Sequence, residues 1–398
     1  MITDSQRSIV HMDLDSFFVS VERLFDSRLN GKPILIGGTG DRGVVASCSY
    51  EARKFGIHSA MPMRTARQLC PEALIIRGDT ERYSQKSHEI TEIIREDVPL
   101  FEKSSIDEFY IDYSGMDKFF GCFKMAQELR QRIIRETGLP ISLGLSENKT
   151  VSKVATGEAK PDNEKEIPRG TEKPFLAPLS VRKIPMIGEK TAHSLYGMGV
   201  KKIHTLQAMP AELLESAFGK NGLVLWDKAN GVDRNPVVPY SEAKSISTEN
   251  TFSQDTIDVR MLEATLIAMT EQLATKLRKN KQLTCCVNVK IRYSDFDTHT
   301  MQQRIPYTAA DHTLIPIVKE LFRKLYNRRL LIRLIGVRFS ALVHGHYQIN
   351  LFEDTQESIR LYQALDKINV KYGEKTVCRA IGMKVGHRNF NPFNGVAI

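Results

Sequence analysis

The sequence predicts an α+β protein of several domains, built on two β-α-β-β-α-β units with a helical region between them. Three observations carry this. Strand-like and helical apolar spacings follow one another in the same order twice, once in residues 8–159 and again in 245–342. Residues 174–236 read as helices throughout. Gly31, Gly37, Gly38, Gly40 and Gly43 punctuate a mixed segment, 19–78, that interrupts the first unit.

The first unit opens with a strand at 8–12 and a helix from Phe17 to Phe25. Strands at 34–37 and 43–47, a short helix starting at Tyr50 and another over 62–70 make up the insertion. A helix at 81–98 follows, with Ile90, Ile93, Ile94 and Val98 at helical spacing, and then strands at 100–104 and 109–113. A helix over 119–136 stops at Gly138 and Pro140 and leads to a strand at 141–145 and a helix at 147–159. With 19–78 set aside this is the ferredoxin-like order, which places the first and third strands side by side in mid-sheet. Residues 237–243 read as a linker. The second unit takes strands at 245–252, 284–293, 299–307 and 333–342, with helices at 258–279 and 311–327. One more helix is expected at 357–370.

A chain of 398 residues, 41% apolar, has room for two to four domains with ordinary cores. It has no run of 18 apolar residues and no basic-then-apolar leader, so neither a membrane span nor a secretory signal is expected. Six scattered cysteines lack metal-ligand spacing and fit a reduced, cytoplasmic setting. No dimer signature is visible, so a monomer is expected. The formal net charge is +9, and residues 244–345 alone hold 16 Lys and Arg against 9 Asp and Glu. Such a concentration fits contact with a polyanion such as nucleic acid, and equally a basic surface kept for solubility. Lys290, Arg292, Arg304 and Arg338 are the candidates for phosphate contacts, on the sheet face away from the helices.

The chemistry centres on Asp107 and Glu108, adjacent acids between two apolar runs. Taken alone they read as a hairpin turn with solvated acids. Asp13, at the end of the first strand, changes the weighing: in the predicted strand order three carboxylates converge, and like charges so placed call for a hard cation such as magnesium. Asp15 is read as structural, facing away from Asp13. In the helical region, Gly188 and Lys190 sit at a glycine turn whose backbone N–H groups suit a phosphate, or simply join two helices.

These residues together resemble the Y-family DNA polymerases, most closely the bacterial DNA polymerase IV type, over roughly residues 8–345. The resemblance rests on His11, Asp13, Leu14, Asp15, Phe17, Phe18, Val21 and Glu22, then on Ser47, Tyr50, Arg53 and Gly56. Ser104, Ser105, Asp107 and Glu108, followed by Gly144, Asn148, Lys149, Lys160 and Pro161, complete it in order. It implies a right-hand architecture: a ferredoxin-like palm (1–18 and 79–168), small fingers (19–78), a helical thumb (174–236) and a βαββαβ little finger (244–345). A tail (346–398) follows. One departure is Met186, where the family usually has the first glycine of the thumb turn.

The implied activity is template-directed, low-fidelity primer extension in translesion synthesis and DNA repair, without a proofreading exonuclease. Asp13, Asp107, Glu108 and the Leu14 carbonyl would hold two Mg2+ ions. Phe17, Phe18, Ser47, Tyr50, Arg53 and Lys160 would bind the deoxynucleoside triphosphate, with Phe18 selecting the sugar. Primer-template DNA would meet Gly188, Lys190 and the four little-finger cations. Gln348, Leu351 and Phe352 resemble the peptide by which bacterial polymerases dock on the sliding clamp. A non-catalytic DNA-binding scaffold relative is the alternative, and the retained carboxylates and Lys160 argue against it. A nucleotidyl cyclase would share the palm and have no need of a thumb or a basic little finger.

Overall fold

The computed structural model describes residues 7–40, 42–116, 121–239, 242–345, 355–373, 376–377 and 379–382. The chain divides into two compact units between Ser241 and Glu242. In the first, the strands are β1 (Ile9–Leu14), β2 (Ile34–Gly37), β3 (Val45–Cys48), β4 (Leu74–Ile76), β5 (Phe101–Lys103), β6 (Glu108–Asp112), β7 (Ile141–Ser146) and β8 (Glu164–Glu166). The main helices are α1 (Phe17–Phe25), α2 (Tyr50–Arg53), α3 (Met63–Leu69), α4 (Thr80–Asp97), α5 (Cys122–Thr137) and α6 (Lys149–Ala159).

The main sheet has the order β5-β6-β1-β7-β8, and β1 lies antiparallel between β6 and β7. This is the ferredoxin-like order with one strand added, β8, which pairs parallel with β7. A strand as short and charged as Glu164–Glu166 carries no periodicity of its own, so it was not expected. β1 is central because five of its six residues are buried. Val10, Met12 and Leu14 join the core that α4 and α5 close, with Ile90, Ile94, Leu129 and Ile133 among its members. The alternate residues His11 and Asp13 point to the other face. There α6 lies against β7 and β1 so closely that a Cβ on Gly144 would stand 2.4 Å from the Ser152 carbonyl oxygen. The insertion forms its own three-stranded sheet, β3-β2-β4, with a small core around Leu35, Ala52 and Met63. Short helices over 172–229 share a separate core with Val151, Val154 and Ala155 of α6.

The second unit comprises β9 (Ser245–Thr256), β10 (Gln282–Tyr293), β11 (Thr298–Thr308) and β12 (Ile332–His344), with helices Val259–Lys279 and Asp311–Leu325. Its element order matches the sequence reading, but its strand order does not repeat the first unit. β12 fills the gap between β9 and β10, and β11 takes the edge, giving β11-β10-β12-β9. Composition explains the difference. β12 buries Ile332, Leu334, Ile335, Val337 and Phe339, as a central strand does, while β11 is polar, carries Pro306 and has no fully buried residue. Val287, Val289 and Ile291 of β10 face the helices.

A helix over Thr355–Tyr372 belongs to the same unit. Arg278, nearly buried, holds it with two hydrogen bonds to the Asp366 carboxylate, at 2.7 and 2.9 Å, and a third to Asp311 at 2.9 Å. Tyr362 stacks on His312 and meets its Nδ1 at 2.8 Å. Among the described residues no helix is long and apolar enough to cross a membrane.

Candidate active site

The functional residues gather on the α6 face of the main sheet. Asp13 is the direct cross-strand partner of Glu108, and His11 of Tyr110. Asp107 immediately precedes β6, and its carbonyl accepts a hydrogen bond from the Leu14 amide at 3.1 Å. The three carboxylates and the Leu14 carbonyl therefore occupy one end of two central strands, 94 residues apart in the chain. What faces them was not read from the sequence: a row of lysines on α6 and its C-terminus. Lys153 Nζ donates to both oxygens of Glu108, at 2.8 and 2.6 Å. Lys160 Nζ donates to Asp13 and, at 3.2 Å, to the Leu14 carbonyl. Lys149 holds Glu102 of β5, at 2.7 Å to each oxygen. A signal for the row existed, because Lys149, Lys153 and Lys160 fall at i, i+4 and i+11 on one helical stripe.

The electrostatics follow from burial. Burial raises the Asp13 carboxyl from 3.8 to about 7; Lys160 opposes that shift, while Asp107 and Glu108 add to it. Asp107 is also raised, by burial first, with Glu108 adding to it and a hydrogen bond from Ser105 at 2.6 Å working against it. Glu108 goes the other way. Burial disfavours its charge, but His11 and Lys153 more than reverse this and hold it well below the usual range. Of the two, Lys153 carries the compensation. His11 Nε2 stands 4.0 Å from Glu108 without a hydrogen bond, and burial lowers its own pKa to about 4, so the ring is neutral near pH 7.

A cleft of about 600 Å³ opens beside these groups. It is lined by Asp13, Leu14, Phe17, Phe18, Ser47, Arg53, Asp107, Lys153 and Lys160 on one side and by residues 182–187 on the other. Phe18 is held by stacking on Tyr83, with ring centroids 4.4 Å apart, and Tyr83 in turn donates to Glu22 at 2.6 Å. Tyr50 does not line the cleft. Its ring lies under the Arg53 guanidinium, 4.7 Å from centroid to Cζ, and its hydroxyl donates to Asp15 at 2.9 Å. The expectation that Asp15 faces away from Asp13 is corrected. Residues two apart in extended chain share a side, and the buried Asp15 carboxylate lies 3.6 Å from Lys160, the lysine that holds Asp13.

Gly188 caps the helix Glu189–Gly197, and Lys190 is exposed in its first turn. Met186 has φ +80°, the left-handed region that glycine enters freely, so the turn keeps a glycine-like backbone with a side chain on it. In the second unit, Lys290, Arg292, Arg304 and Arg338 share the sheet face opposite the helices. Arg304 and Arg338 are exposed, Lys290 pairs with Glu249 at 2.5 Å, and Arg292 donates to Thr298 at 2.8 Å. Gln348, Leu351 and Phe352 lie outside the described residues.

The impB/mucB/samB family model matches residues 12–157, and the model of that family's C-terminal domain matches 243–351. A DNA polymerase IV of Dehalococcoides mccartyi is 38% identical over 383 residues, covering 94% of this chain and 97% of that protein. The chain belongs to the impB/mucB/samB family of Y-family DNA polymerases. A DNA polymerase IV of Desulfatibacillum aliphaticivorans is 34% identical, covering 94% of this chain and 96% of its own. Among solved structures, a Y-family DNA polymerase chimera of Dbh and Dpo4 aligns with a TM-score of 0.77 at 25% identity, over 85% of this chain and all of that one. DinB from Sulfolobus solfataricus aligns with a TM-score of 0.59 at 25% identity, over 84% and 98%. The α+β multidomain fold of this polymerase is thus that of the Y family.

Family membership implies magnesium-dependent catalysis. Among the described residues no three His, Cys, Asp or Glu side chains stand together as a ready-made metal cluster, because Lys153 and Lys160 draw Glu108 and Asp13 to themselves. The donor set nevertheless fits: three carboxylates and a main-chain carbonyl at one end of two strands, all hard oxygen donors.

The Asp13 shift fixes the sign of a pH effect. Its folded value, about 7, lies above the ordinary 3.8, so ionising it costs stability increasingly as pH rises between those values. In the metal-free protein, Asp13→Asn is expected to raise the thermal midpoint near pH 8 and to leave it almost unchanged near pH 4. A lower midpoint near pH 8 would mean that the lost Lys160 pair outweighs the relief from burial.

Proposed function

We propose that this chain is a template-directed DNA polymerase of low fidelity, acting in translesion synthesis, whose catalytic carboxylates are Asp13, Asp107 and Glu108. One observation supports the assignment most directly: Asp13 and Glu108 are cross-strand partners at the end of two buried strands, and Asp107 and Asp13 line a cleft that also holds Arg53 and Lys160. In this reading residues 1–18 and 79–168 form the palm, 19–78 the fingers, 174–236 the thumb and 244–345 the little finger, with a linker at 237–243.

Asp13, Asp107, Glu108 and the Leu14 carbonyl would hold two magnesium ions. Bound there, the ions would stabilise charge on the attacking and leaving oxygens of nucleotidyl transfer to a primer 3′ hydroxyl. Arg53 and Lys160 supply cationic donors for the triphosphate of the incoming deoxynucleotide, the guanidinium as a planar fork and the ammonium as a point charge. Ser47 adds a hydroxyl, and Phe17 and Tyr50 back the pocket. Arg53 is set over the Tyr50 ring, which fixes its plane. Lys153 and Lys160 offset the negative charge of Glu108 and Asp13. Phe18, clamped by Tyr83, fills the space beside the sugar, where a 2′ hydroxyl would clash and lose its hydration. Small residues, Gly43, Val44 and Ser47, would lie over the nascent base pair, and a roomy roof there would tolerate distorted templates and check geometry poorly.

The DNA backbone would be met by Gly188 and Lys190 of the thumb and by Lys290, Arg292, Arg304 and Arg338 of the little finger. Gln348, Leu351 and Phe352 would dock on the sliding clamp, a Gln filling a polar edge and Leu-Phe an apolar pocket.

Three outcomes are expected. Asp107→Ala abolishes primer extension with magnesium and four deoxynucleotides while gel-shift affinity for primer-template stays within about twofold, since phosphate contacts dominate that affinity; undiminished extension would sink the carboxylate assignment. Phe18→Ala raises ribonucleotide incorporation relative to deoxyribonucleotide, and unchanged sugar discrimination would remove Phe18 from that role. Deleting residues 348–352 lowers clamp-stimulated synthesis and spares basal synthesis; equal stimulation would argue against docking through this segment.

A further inference from the structure

Asp15 is 2% exposed, and its carboxylate gathers partners from three separate parts of the first unit. Oδ1 accepts from the Tyr50 hydroxyl at 2.9 Å, which reaches across from α2 of the insertion. Oδ2 accepts from Ser142 Oγ of β7 at 2.7 Å and from the Asp162 amide at 2.8 Å, in the turn directly after Lys160 and Pro161. Lys160 Nζ lies 3.6 Å from Oδ1. The Asp15 amide donates to the Pro140 carbonyl at 2.9 Å, so its own backbone is fixed to the start of β7. Asp15 does not line the cleft.

A carboxylate needed only to close the sheet end would be satisfied by Ser142 and the Asp162 amide. The bond to Tyr50 serves a different end. Tyr50 is the platform beneath Arg53, and the Asp162 turn carries Lys160, so both cations assigned to the triphosphate are placed through one buried acid. We propose that Asp15 is the positioning residue of the triphosphate clamp, holding Tyr50, and through it Arg53, in register with Lys160 across the junction between insertion and main sheet. The proposal rests on the reading of Tyr50, Arg53 and Lys160 as the triphosphate-binding residues. It makes a specific energetic demand. Loss of Asp15 should weaken nucleotide binding and leave the step at saturating nucleotide comparatively intact, because Asp107 and Glu108 keep their own partners, Ser105 and Lys153.

The test uses the full-length protein with primer-template DNA. Single-turnover extension is measured against deoxynucleotide concentration for wild type, Asp15→Ala, Tyr50→Phe and the double variant. Equilibrium binding of the nucleotide to complexes with a dideoxy-terminated primer gives a readout free of chemistry. Asp15→Ala is expected to raise the half-saturating nucleotide concentration roughly tenfold, the scale of a lost hydrogen bond to a charged group, and to weaken equilibrium binding by the same factor. Its effect should largely vanish in the Tyr50→Phe background, as coupled residues require. Ser142→Ala, which removes another bond to the same carboxylate, should leave nucleotide affinity unchanged. Asp15→Asn preserves volume and covers the case in which the alanine variant does not fold; it should show the same affinity loss in smaller degree. If Tyr50→Phe weakens binding and both Asp15 variants bind as wild type, the proposal is overturned. It is also overturned if Asp15 variants lower the saturating rate and the thermal midpoint with unchanged affinity, or if the two losses simply add. If Tyr50→Phe, Arg53→Ala and Lys160→Ala all bind nucleotide as wild type, it is the clamp reading itself that fails.

Discussion

Burying like charges side by side is the constraint on which the rest of this structure depends. Asp13 and Glu108 face each other across the two central strands, Asp107 adjoins them, and Glu102 lies on the neighbouring edge strand. In an apolar layer such groups protonate or repel. The fold answers with one helix. α6 and its C-terminal residue set Lys149 against Glu102, Lys153 against Glu108 and Lys160 against Asp13, each at hydrogen-bonding range. That match needs the helix to lie almost on the strands, and Gly144 is what permits it: any side chain there would collide with the helix backbone. The close approach of α6, the ferredoxin-like strand order and the charge ladder are therefore a single requirement expressed at three levels.

Much of this was legible in the sequence, for reasons that can be named. The strand order of the first unit follows from its element order, and with it the pairing of Asp13 with Glu108 across a gap of more than ninety residues. The apolar stripes of the second unit are its core. What escaped has physical causes as well. The strand order of the second unit depends on which strand is most apolar, a comparison between strands that element order does not contain. β8 is too short to show a period. Lys153 was hidden because a lysine on a helix reads as a solvated residue until the strand beneath it is known to carry acids. Asp15 was misplaced because residues two apart in extended chain share a side, which puts it with Asp13 beside Lys160. The helix after residue 354 was expected, but not its docking, since Arg278, Asp311 and Asp366 are far apart in the chain and pair only once the two helices of the unit are packed.

The insertion poses a separate problem. It has its own sheet and a small core of its own, and only part of it, Ile34 and Ile36 of β2 among them, joins the main core. Apolar contact alone is non-directional and leaves freedom of about the size that matters for a ligand as compact as a triphosphate. Directional bonds at the junction remove it. Arg23 of α1 pairs with Glu51 of α2 at 2.9 Å and also donates to the Lys32 carbonyl, and Tyr50 reaches Asp15. The four-residue helix Tyr50–Arg53 is thus tied twice at its start: by Ser49, the cap, which accepts from the Ala52 amide, and by Tyr50, which donates to the sheet acid.

The arrangement is costly to the protein, and the cost is informative. A site optimised for stability would replace Asp13 with an apolar or amide residue, because burial holds its carboxyl near 7 against an ordinary 3.8. The surrounding structure over-determines it instead. Val10, Met12 and Leu14 anchor the strand in the core, and Lys160 is placed by the turn that Asp15 caps. A charge kept where it is unfavourable, on a strand too well packed to move, is strain of the kind that clusters at functional sites. The lysines offset these charges to different degrees: Glu108 is held well below the usual range, while Asp13 stays raised to about 7. Glu108 is the most strongly compensated of the three, through Lys153, while Asp13 and Asp107 stay raised because burial outweighs Lys160 and the Ser105 hydrogen bond.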